Sequence, residues 1–315
     1  MGVDLGGTKI LAGVFNRYLK LRNTVKFKTK AVRGVDAVID RMERAIREVV
    51  SENGLRLNQI QGIGLGVPGS VNKGRVIHAN NIGWDGVPVG TILRRKLRIP
   101  VFVENDCNLF TLGIHQVELK CRPRTMIGVF LGTGVGGGII INGNLYRGFN
   151  NAGGEFGQMT IDKDGLKTGH HLRGSFESLA SRQGIVRRLR RAVLEGGETM
   201  LIEELGPQLK NVRSRHLRKA VQNKDALVQR VVRNVAADTG IAIAGLISAF
   251  GSEYVVLGGG VIEALHQTML PIIRHTATQN VLPGTMKGVK IVLSKLGDDG
   301  GICGAAVLAR ESLKQ

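Results

Sequence analysis

The stretch TMIGVFLGTGVGGGIIINGNLYRG, residues 125–148, decides the predicted fold class. It contains an apolar strand, a glycine-rich turn with a threonine, a second apolar strand and a polar turn, which together predict neighbouring antiparallel strands. Residues 2–29 repeat this plan with VDL, the turn GGT, the strand KILAGVF and a third strand, TVKFKT. Two such units, one opening each half of the chain, predict an internally duplicated α/β architecture with a cleft between its halves.

The rest of the chain supplies further helices and strands. At 315 residues it is long enough for two domains, each with its own core. We predict an N-terminal α/β domain over residues 1–112, to which a closing helix at about 301–315 returns, and a C-terminal α/β domain over residues 113–300. Apolar spacing predicts helices over residues 34–53, 88–97, 107–118, 175–195, 200–220 and 223–250, and short strands over 75–77 and 101–104. Residues 60–71 are predicted as a buried strand that runs into a Gly-Pro turn, and residues 254–262 as a strand that enters a glycine turn and a helix.

The composition indicates a globular protein of a reducing compartment. No apolar run approaches the ~18 residues that a bilayer span needs, and the N-terminus lacks a secretory signal pattern. Three scattered cysteines argue against a disulfide framework, so we expect a cytoplasmic protein without a membrane partner. The net charge of +19, with basic runs such as RRLRR at 187–191, predicts either a solvated basic surface or attraction to nucleic acid, lipid or a polyanionic substrate.

Asp106 lies where a short buried strand is predicted to end. The apolar run Val101–Glu104 follows Pro100 and has the length of a strand, and a helix is predicted to begin at Cys107. In open α/β sheets ligands bind beyond the carboxyl ends of the strands, so a carboxylate that leaves such a strand is placed to meet a substrate. The alternative is that Asn105 or Asp106 only caps the following helix.

Three glycine turns indicate a phosphate-binding protein. They are GGTK at 6–9, GTGVGGG at 132–138 and GGG at 258–260, and each leaves an apolar strand. Glycine lets backbone N–H groups approach phosphate oxygens, and Thr8 and Thr133 can add hydroxyl donors. The sequence contains neither a P-loop nor a GxGxxG at a strand-to-helix turn. The three turns together favour a nucleoside triphosphate.

Acidic residues near these turns have the chemistry that phosphoryl transfer to a hydroxyl group needs. That reaction requires in-line positioning, charge stabilisation by N–H groups and Mg²⁺, and a base that accepts the hydroxyl proton. Asp106 is the candidate base, a role worth ~10²–10⁴ in rate. Asp4 can either hold Mg²⁺ through water or brace the first turn. Glu155 and Glu177 either bind adjacent sugar hydroxyls or are exposed acids of a loop and a helix start.

On these residues the chain resembles the ROK sugar kinases, the bacterial glucokinase and N-acetylhexosamine kinase group of the actin-like ATPase superfamily. The resemblance runs from DLGGTKI at residue 4 to LGDDGGICGAA, which ends at residue 306, and is most specific over residues 131–159. It implies an α/β, actin-like (ribonuclease H-like), duplicated two-domain fold with an interdomain cleft. It also implies ATP and Mg²⁺ as cofactors, a sugar substrate and a homodimer.

The resemblance implies roles for individual residues. Asp106, in the triplet END, falls at the position of the family's catalytic base. The residues implied to contact the sugar are Gly66, Asn105, Asp106, Glu155, Gln158 and Glu177. The residues implied to contact the nucleotide are Asp4, Gly6, Gly7, Thr8, Lys9, Gly132, Thr133, Gly134, Gly136, Gly258, Gly259 and Gly260.

One part of the family pattern is missing. The family's structural zinc is held by a histidine and three cysteines, and those positions carry Gln158, Thr168, His170 and Ser175 here. Because a tetrahedral structural zinc needs four nitrogen or sulfur ligands, we predict no structural zinc. His170 and His171 are predicted to be surface histidines, and Gln158 either replaces the histidine at the sugar or leaves that contact unmade.

The leading functional hypothesis is an ATP-dependent glucokinase that phosphorylates the 6-hydroxyl of glucose. N-acetylglucosamine, N-acetylmannosamine, mannose or fructose remain alternative substrates, and inorganic polyphosphate remains an alternative donor. A sugar-sensing regulator without catalysis is a further alternative. DNA binding is disfavoured because the first predicted strand begins at residue 2, which leaves no room for a preceding helix-turn-helix, and because the basic runs lie on separate segments.

Overall fold

The computed structural model describes residues 1–167 and 172–314. In those residues the strands are β1 (Gly2–Leu5), β2 (Lys9–Phe15), β3 (Leu21–Lys28), β4 (Ile63–Val67), β5 (Ser70–Asn72), β6 (Arg75–Ala79), β7 (Trp84–Val87), β8 (Val101–Asn105), β9 (Met126–Leu131), β10 (Val135–Ile141), β11 (Asn144–Tyr146), β12 (Tyr254–Gly258) and β13 (Lys290–Leu293). The α-helices are α1 (Val35–Glu52), α2 (Val89–Leu97), α3 (Asp106–Gly113), α4 (Phe176–Ala180), α5 (Arg182–Leu194), α6 (Leu201–Leu205), α7 (Ser214–Gln222), α8 (Ala226–Phe250), α9 (Gly260–Gln279) and α10 (Gly300–Ser312).

The chain forms two compact units. Unit 1 comprises Met1–Arg124, Gly138–Gly154 and Asp298–Gln315. Unit 2 comprises Thr125–Gly137 and Glu155–Gly297. The closing helix α10 therefore belongs to the unit that contains the N-terminus.

Two five-stranded sheets share one strand plan. The first has the order β3-β2-β1-β4-β8 and the second has the order β11-β10-β9-β12-β13. In the first sheet β1, β2 and β3 are antiparallel neighbours, and β4 and β8 continue the sheet in parallel with β1. In the second sheet β10 and β11 are antiparallel, and β12 and β13 run parallel to β9. The recurrence of this order confirms the predicted internal duplication.

The carboxyl ends of three parallel strands meet at one edge of the first sheet. Asp4 of β1 lies opposite Gly66 of β4, and Gly66 lies opposite Glu104 of β8. Strand β8 ends one residue later, at Asn105, and α3 begins with Asp106. The register therefore brings Asp4, Gly66 and the start of α3 to the same edge.

Two helices of unit 1 pack on this sheet in different ways. The apolar positions Val38, Met42, Ile46 and Val49 predicted the buried stripe of α1, and all four side chains have no exposed surface. Helix α10 lies much closer to β1 and β4. A Cβ atom at Gly64 would stand 1.8 Å from the carbonyl oxygen of Ala305, so the strand must carry glycine there. The small residues of α10 and the glycines of the strands thus allow the helix to pack closely against the sheet.

Helix α8 forms the centre of unit 2. Asp225 caps its start by accepting a hydrogen bond from the Val228 N–H at 2.9 Å, and Gly251 ends it with a left-handed φ of 56°. By length and composition alone this is the one helix among the described residues that would suit a membrane span. Most of its apolar surface is buried in the unit, as in the core helix of a globular protein.

Several predicted elements differ from the observed ones. The predicted helix over 175–195 is divided into α4 and α5 at Ser181, whose backbone is extended. The predicted helix over 107–118 is α-helical only to Gly113 and continues as a π-helix from Ile114 to Glu118. The predicted helix over 200–220 is divided into α6 and α7, because Gly206, Leu209 and Asn211 between them have positive φ. The strand predicted at 75–77 is the middle strand of a small sheet of order β5-β6-β7.

Candidate active site

The strand ends of unit 1 bring two acidic residues together. A Cβ atom at Gly66 would lie 3.4 Å from the Asp4 Oδ1 atom and 3.6 Å from the Asp106 Cα atom. Any side chain at position 66 would therefore stand between the two acids. The structure places Asp4, Gly66 and Asp106 at one site, as the sequence predicted for a ligand at the carboxyl ends of parallel strands.

Asn105 caps helix α3, which leaves Asp106 at the first helical position. The Asn105 Oδ1 atom accepts a hydrogen bond from the Asn108 N–H at 3.0 Å, and its Nδ2 group donates to the Gly69 carbonyl at 3.0 Å. The Asp106 Oδ1 atom accepts from the Cys107 N–H at 2.8 Å. The capping interpretation is thus correct for Asn105, and this cap fixes where the Asp106 side chain begins.

Glu104 fixes Asn105 and Asn108 through hydrogen bonds, and it was not predicted as a site residue. Its Oε1 atom accepts hydrogen bonds from the Asn105 N–H at 2.9 Å and from the Asn108 Nδ2 group at 3.2 Å. Its Oε2 atom accepts from the Arg147 Nε group at 2.5 Å, and the Glu104 side chain is only 9% exposed. A buried carboxylate requires such partners. The sequence contains Glu104 in the triplet END, but only the folded unit brings Arg147 to it.

Asp4 is partly buried, and its ionisation is correspondingly disfavoured. Burial raises the pKa of Asp4 to about 6, which the charge of Lys9 partly opposes and that of Asp298 reinforces. The start of α10 also crowds this carboxyl group, because a Cβ atom at Gly301 would lie 3.0 Å from the Asp4 Cγ atom. A bound cation would favour the ionised form of Asp4.

Thr29 braces the first glycine turn and was also not predicted. Its buried hydroxyl donates to the Gly6 carbonyl at 2.6 Å, and its N–H donates to the Thr8 carbonyl at 3.0 Å. Gly7 and Thr8 themselves are exposed. The Lys9 ammonium forms an ion pair with Asp298, with 2.5 Å between the Lys9 Nζ and Asp298 Oδ1 atoms.

The other two glycine turns follow adjacent parallel strands of unit 2. Strand β12 pairs with β9 so that Gly258 lies opposite Phe130, and the turns at 132–134 and 258–260 therefore leave the same edge. Gly259 has a φ of 88°, and a Cβ atom there would lie 2.6 Å from the Leu131 carbonyl oxygen. The structure thus brings the predicted residues of both turns, including Gly132, Gly258 and Gly260, into one neighbourhood.

Glu177 is joined to the second glycine turn. Its Oε2 atom accepts a hydrogen bond from the Val135 N–H at 2.9 Å, and a Cβ atom at Gly134 would lie 2.3 Å from the same oxygen. Partial burial of the carboxyl group, and then the charge of Glu177, raise the pKa of Glu155, although Glu155 as a whole residue is exposed. The charge of Glu177 thus acts on Glu155, the other acid predicted to bind the sugar.

The short 3₁₀ helix Phe156–Gln158 follows Glu155 directly and places Gln158 at its last position. Gly136 lies in β10, two residues after Gly134, and is partly buried.

The residues at the family's zinc positions do not fit a tetrahedral zinc. The Ser175 hydroxyl accepts the Ser178 N–H as the cap of α4, and the Ser175 carbonyl accepts the Ser178 hydroxyl. Thr168, His170 and His171 lie outside the described residues. Among the residues that are described, no three His, Cys, Asp or Glu side chains are grouped as a metal site. Backbone hydrogen bonds from Ile161 and Asp162 to the Gly174 carbonyl join the two ends of this segment.

Comparisons with known proteins identify the family of the chain. Residues 1–312 match the ROK family. A glucokinase from Halalkalibacterium halodurans is 31% identical over 314 residues, which cover 99% of this chain and 94% of that protein. The crystal structure of a ROK family glucokinase from Streptomyces griseus in complex with glucose and AMPPNP is 30% identical, has a TM-score of 0.83 and covers 98% of both chains.

A ROK hexokinase structure from Thermus thermophilus is 31% identical, with a TM-score of 0.80, and covers 99% of this chain and 98% of that chain. These neighbours have the actin-like ATPase fold, to which the duplicated sheets described above correspond. The chain belongs to the ROK family and has the fold and enzyme class of its ATP-dependent sugar kinases.

Proposed function

We propose that this sugar kinase transfers the γ-phosphoryl group of ATP to the 6-hydroxyl of glucose, with Asp106 as the general base. The observation that carries the proposal is the position of Asp106, which follows the Asn105 cap at the carboxyl end of β8 and lies next to Gly66 and Asp4. Identity of 31% to a glucokinase over almost the whole chain supports glucose as the acceptor.

In the proposed reaction each predicted group has one task. Asp106 accepts the proton of the 6-hydroxyl as the oxygen attacks phosphorus. Asn105, Glu155, Gln158 and Glu177 bind the other sugar hydroxyls. Gly66 leaves room for the sugar because it has no side chain between the acids.

The glycine turns supply N–H groups to the phosphates, with Gly6, Gly7, Thr8 and Lys9 in unit 1 and Gly132, Thr133, Gly134 and Gly136 in unit 2. The turn of Gly258, Gly259 and Gly260 lies near the adenosine in this proposal. Asp4 would hold Mg²⁺ through water, and that ion would neutralise negative charge on the transferring phosphoryl group when bound.

The test is a coupled ADP-release assay with Mg-ATP against glucose, mannose, fructose, N-acetylglucosamine and N-acetylmannosamine. We expect glucose to give the highest kcat/KM, and Asp106→Asn to lower kcat by about 10²- to 10⁴-fold without unfolding the protein. Asp36→Asn, at an exposed carboxylate in the first turn of α1, is the matched control and should leave kcat unchanged.

Several outcomes would redirect the proposal. Preference for an N-acetylhexosamine would make the chain a kinase of that sugar, and sugar binding without turnover on any of the five would indicate a regulator. Turnover should also persist when a zinc-selective chelator is added with Mg²⁺ in excess, because the donor set does not fit zinc.

We place the enzyme in the cytoplasm as a homodimer. None of the three cysteines forms a disulfide in the described residues, which suits a reducing compartment, and dimerisation is an expectation from the ROK family. Light scattering of the purified protein would test the dimer, since a mass near 34 kDa would identify a monomer.

A further inference from the structure

A basic pocket of about 330 Å³ lies in unit 2 beside Thr133. Its lining includes Thr133, Arg182, Arg187, Arg190, Asn211 and Val212, and it contains no acidic side chain. We call this set the arginine pocket. It adjoins the glycine turn at 132–134, so it lies next to a predicted phosphate-binding element.

Helix α5 places these arginines on one face. Arg182, Val186 and Arg190 are four residues apart and so lie along one line of the helix, and Arg187 lies beside Val186 in the same pocket lining. The same helix carries two other arginines outside the pocket lining, and both are neutralised. Arg188 pairs with Asp238 at 2.5 Å and Arg191 pairs with Glu195 at 2.9 Å.

The charges in the arginine pocket have no such compensation. The Arg182 guanidinium donates to the Thr133 hydroxyl at 2.7 Å, and the Arg190 guanidinium donates to the carbonyls of Gln208 and Leu209. These acceptors are all neutral. Within residues 1–167 and 172–314, none of the three arginines forms an ion pair with a carboxylate. The pocket therefore concentrates positive charge that an anion would stabilise.

Arg182 also orients the glycine turn. Its backbone N–H donates to the Gly132 carbonyl at 2.9 Å, in addition to the side-chain bond to Thr133. Because the Thr133 oxygen accepts from Arg182, the hydroxyl proton of Thr133 is left to donate to another acceptor. A phosphate oxygen at the turn would be such an acceptor.

The opposite wall of the pocket leads to the third glycine turn. Asn211 and Val212 in this wall are followed by Ser214, whose buried hydroxyl has no hydrogen-bond partner among the described residues. That hydroxyl lies 3.8 Å from where a Cβ atom of Gly260 would stand. The arginine pocket thus extends from the turn at 132–134 toward the turn at 258–260.

We propose that the arginine pocket is an anion subsite that binds the part of the donor's phosphate chain beyond the phosphoryl group transferred. The proposal rests on the proposed kinase function. Guanidinium groups suit this ligand because they bind phosphate oxygens in pairs and keep their charge at every physiological pH. The phosphate chain is that of a nucleoside triphosphate or of inorganic polyphosphate, and these two sources share the same recognition.

The key variant is Arg187→Gln, because Arg187 is exposed and makes none of the contacts that hold the turn. We expect it to raise the KM for the phosphate donor by about tenfold, the effect of losing one charge-assisted contact, and to leave the KM for sugar unchanged. Arg187→Lys should restore part of the affinity, since it keeps the charge but not the paired geometry. Arg191→Gln on the same helix is the matched control and should change neither KM.

Kinetics with two phosphate donors distinguish a nucleoside triphosphate from inorganic polyphosphate as the ligand of the arginine pocket. Kinetics with ATP and with polyphosphate are measured at low and high salt for the wild type and Arg187→Gln. A donor KM that rises in the variant and depends less on salt supports the subsite, and the donor affected identifies the source. Unchanged KM values for both donors would overturn the proposal.

A binding measurement separates this proposal from the kinase function. Tripolyphosphate is titrated calorimetrically into the wild type, Arg187→Gln and Arg191→Gln. Weaker binding only in Arg187→Gln supports the subsite even when no sugar is turned over. Equal binding in all three proteins refutes it even when the wild type is an active kinase.

Discussion

The two sheets have the same strand order and opposite chemistry at their carboxyl edges. In unit 1 Asp4 and Glu104 lie near the carboxyl ends of β1 and β8, and Asp106 follows β8 at the start of α3. In unit 2 β9 and β12 lead into glycine turns, one of which borders the arginine pocket. A duplicated topology fixes where a strand ends but leaves the side chains there open to divergence. One edge is thereby suited to receiving a proton and holding a cation, and the other to binding phosphate.

The equivalent strands β4 and β12 show how far the interiors of the sheets have diverged. Strand β4 carries Gly64 and Gly66, and β12 carries Val255 and Val256 at the same place in the sheet order. Glycine is required at position 64 because α10 approaches the β4 backbone closely there, while β12 buries the branched side chains of Val255 and Val256. The two sheets thus differ in how β4 and β12 are packed, while their strand order and strand directions are the same.

The largest expected effect would come from filling the close contact in unit 1. Gly64→Ala places a Cβ atom 1.8 Å from the Ala305 carbonyl oxygen, and α10 must move to admit it. We expect the free energy of unfolding to fall by about 3 kcal/mol or more, measured by urea denaturation. Gly245→Ala is the control, since open space surrounds that helical position, and it should raise stability by about 0.5–1 kcal/mol. A well-folded, equally stable Gly64→Ala protein would contradict the packing argument.

A second prediction concerns Asp4 and gives the acidic edge a pH signature. The folded-state pKa of Asp4 is about 6 and the ordinary value is 3.8, so the folded protein binds this proton more tightly. The stability that Asp4 contributes is therefore present below about pH 4 and is lost as the pH rises to about 6. At pH 8, without Mg²⁺ or nucleotide, Asp4→Asn should raise the free energy of unfolding by about 2 kcal/mol, after allowance for partial exposure.

The measurement is denaturation at pH 4 and pH 8 for the wild type, Asp4→Asn and Asp85→Asn. Asp85 is exposed in β7 and should leave the pH dependence unchanged. Equal pH dependence of unfolding in the wild type and Asp4→Asn would contradict a raised pKa of Asp4 in the folded protein. The stabilised Asp4→Asn protein should also lose Mg²⁺-dependent turnover if Asp4 holds the ion.

The smallest expected effect concerns Arg147, which binds Glu104 at the acidic edge. Arg147→Met removes the partner of the buried Glu104 carboxylate, which holds Asn105 in place. We expect a stability loss of about 1–2 kcal/mol, because the arginine is 40% exposed and its charge is screened. The kcat should fall more than the KM for sugar changes, since the pair positions the base.

Arg191→Met is the control for this variant, because Arg191 forms an exposed pair with Glu195 at 2.9 Å and its loss should cost almost nothing. The double variant Glu104→Gln, Arg147→Met should be less destabilised than the two single losses added together. Additive losses would show that the two residues do not act as a pair.

Local sequence was sufficient to predict most elements and part of the site. Apolar runs predicted β2 and α8, whose apolar residues are largely buried, and 3.6-residue apolar spacing predicted the buried face of α1. The predictions were wrong where the backbone conformation changes without a change in the apolar pattern. Examples are the π-helix after Gly113 and the residues with positive φ that separate α6 from α7. The short strands β5 and β7 were missed because neither has a periodic pattern long enough to detect.

By itself the sequence determined the duplicated strand plan, the glycine turns and the carboxylate after β8, because each depends on residues adjacent in the chain. Only the tertiary structure decided that Gly66 separates Asp4 from Asp106, that Arg147 holds Glu104, and that Arg182 bonds to Thr133. Those pairs are separated by between 40 and 102 residues in sequence, and their contacts follow from strand register and helix packing. Local patterns carry no record of which distant side chains the register of a sheet will bring together.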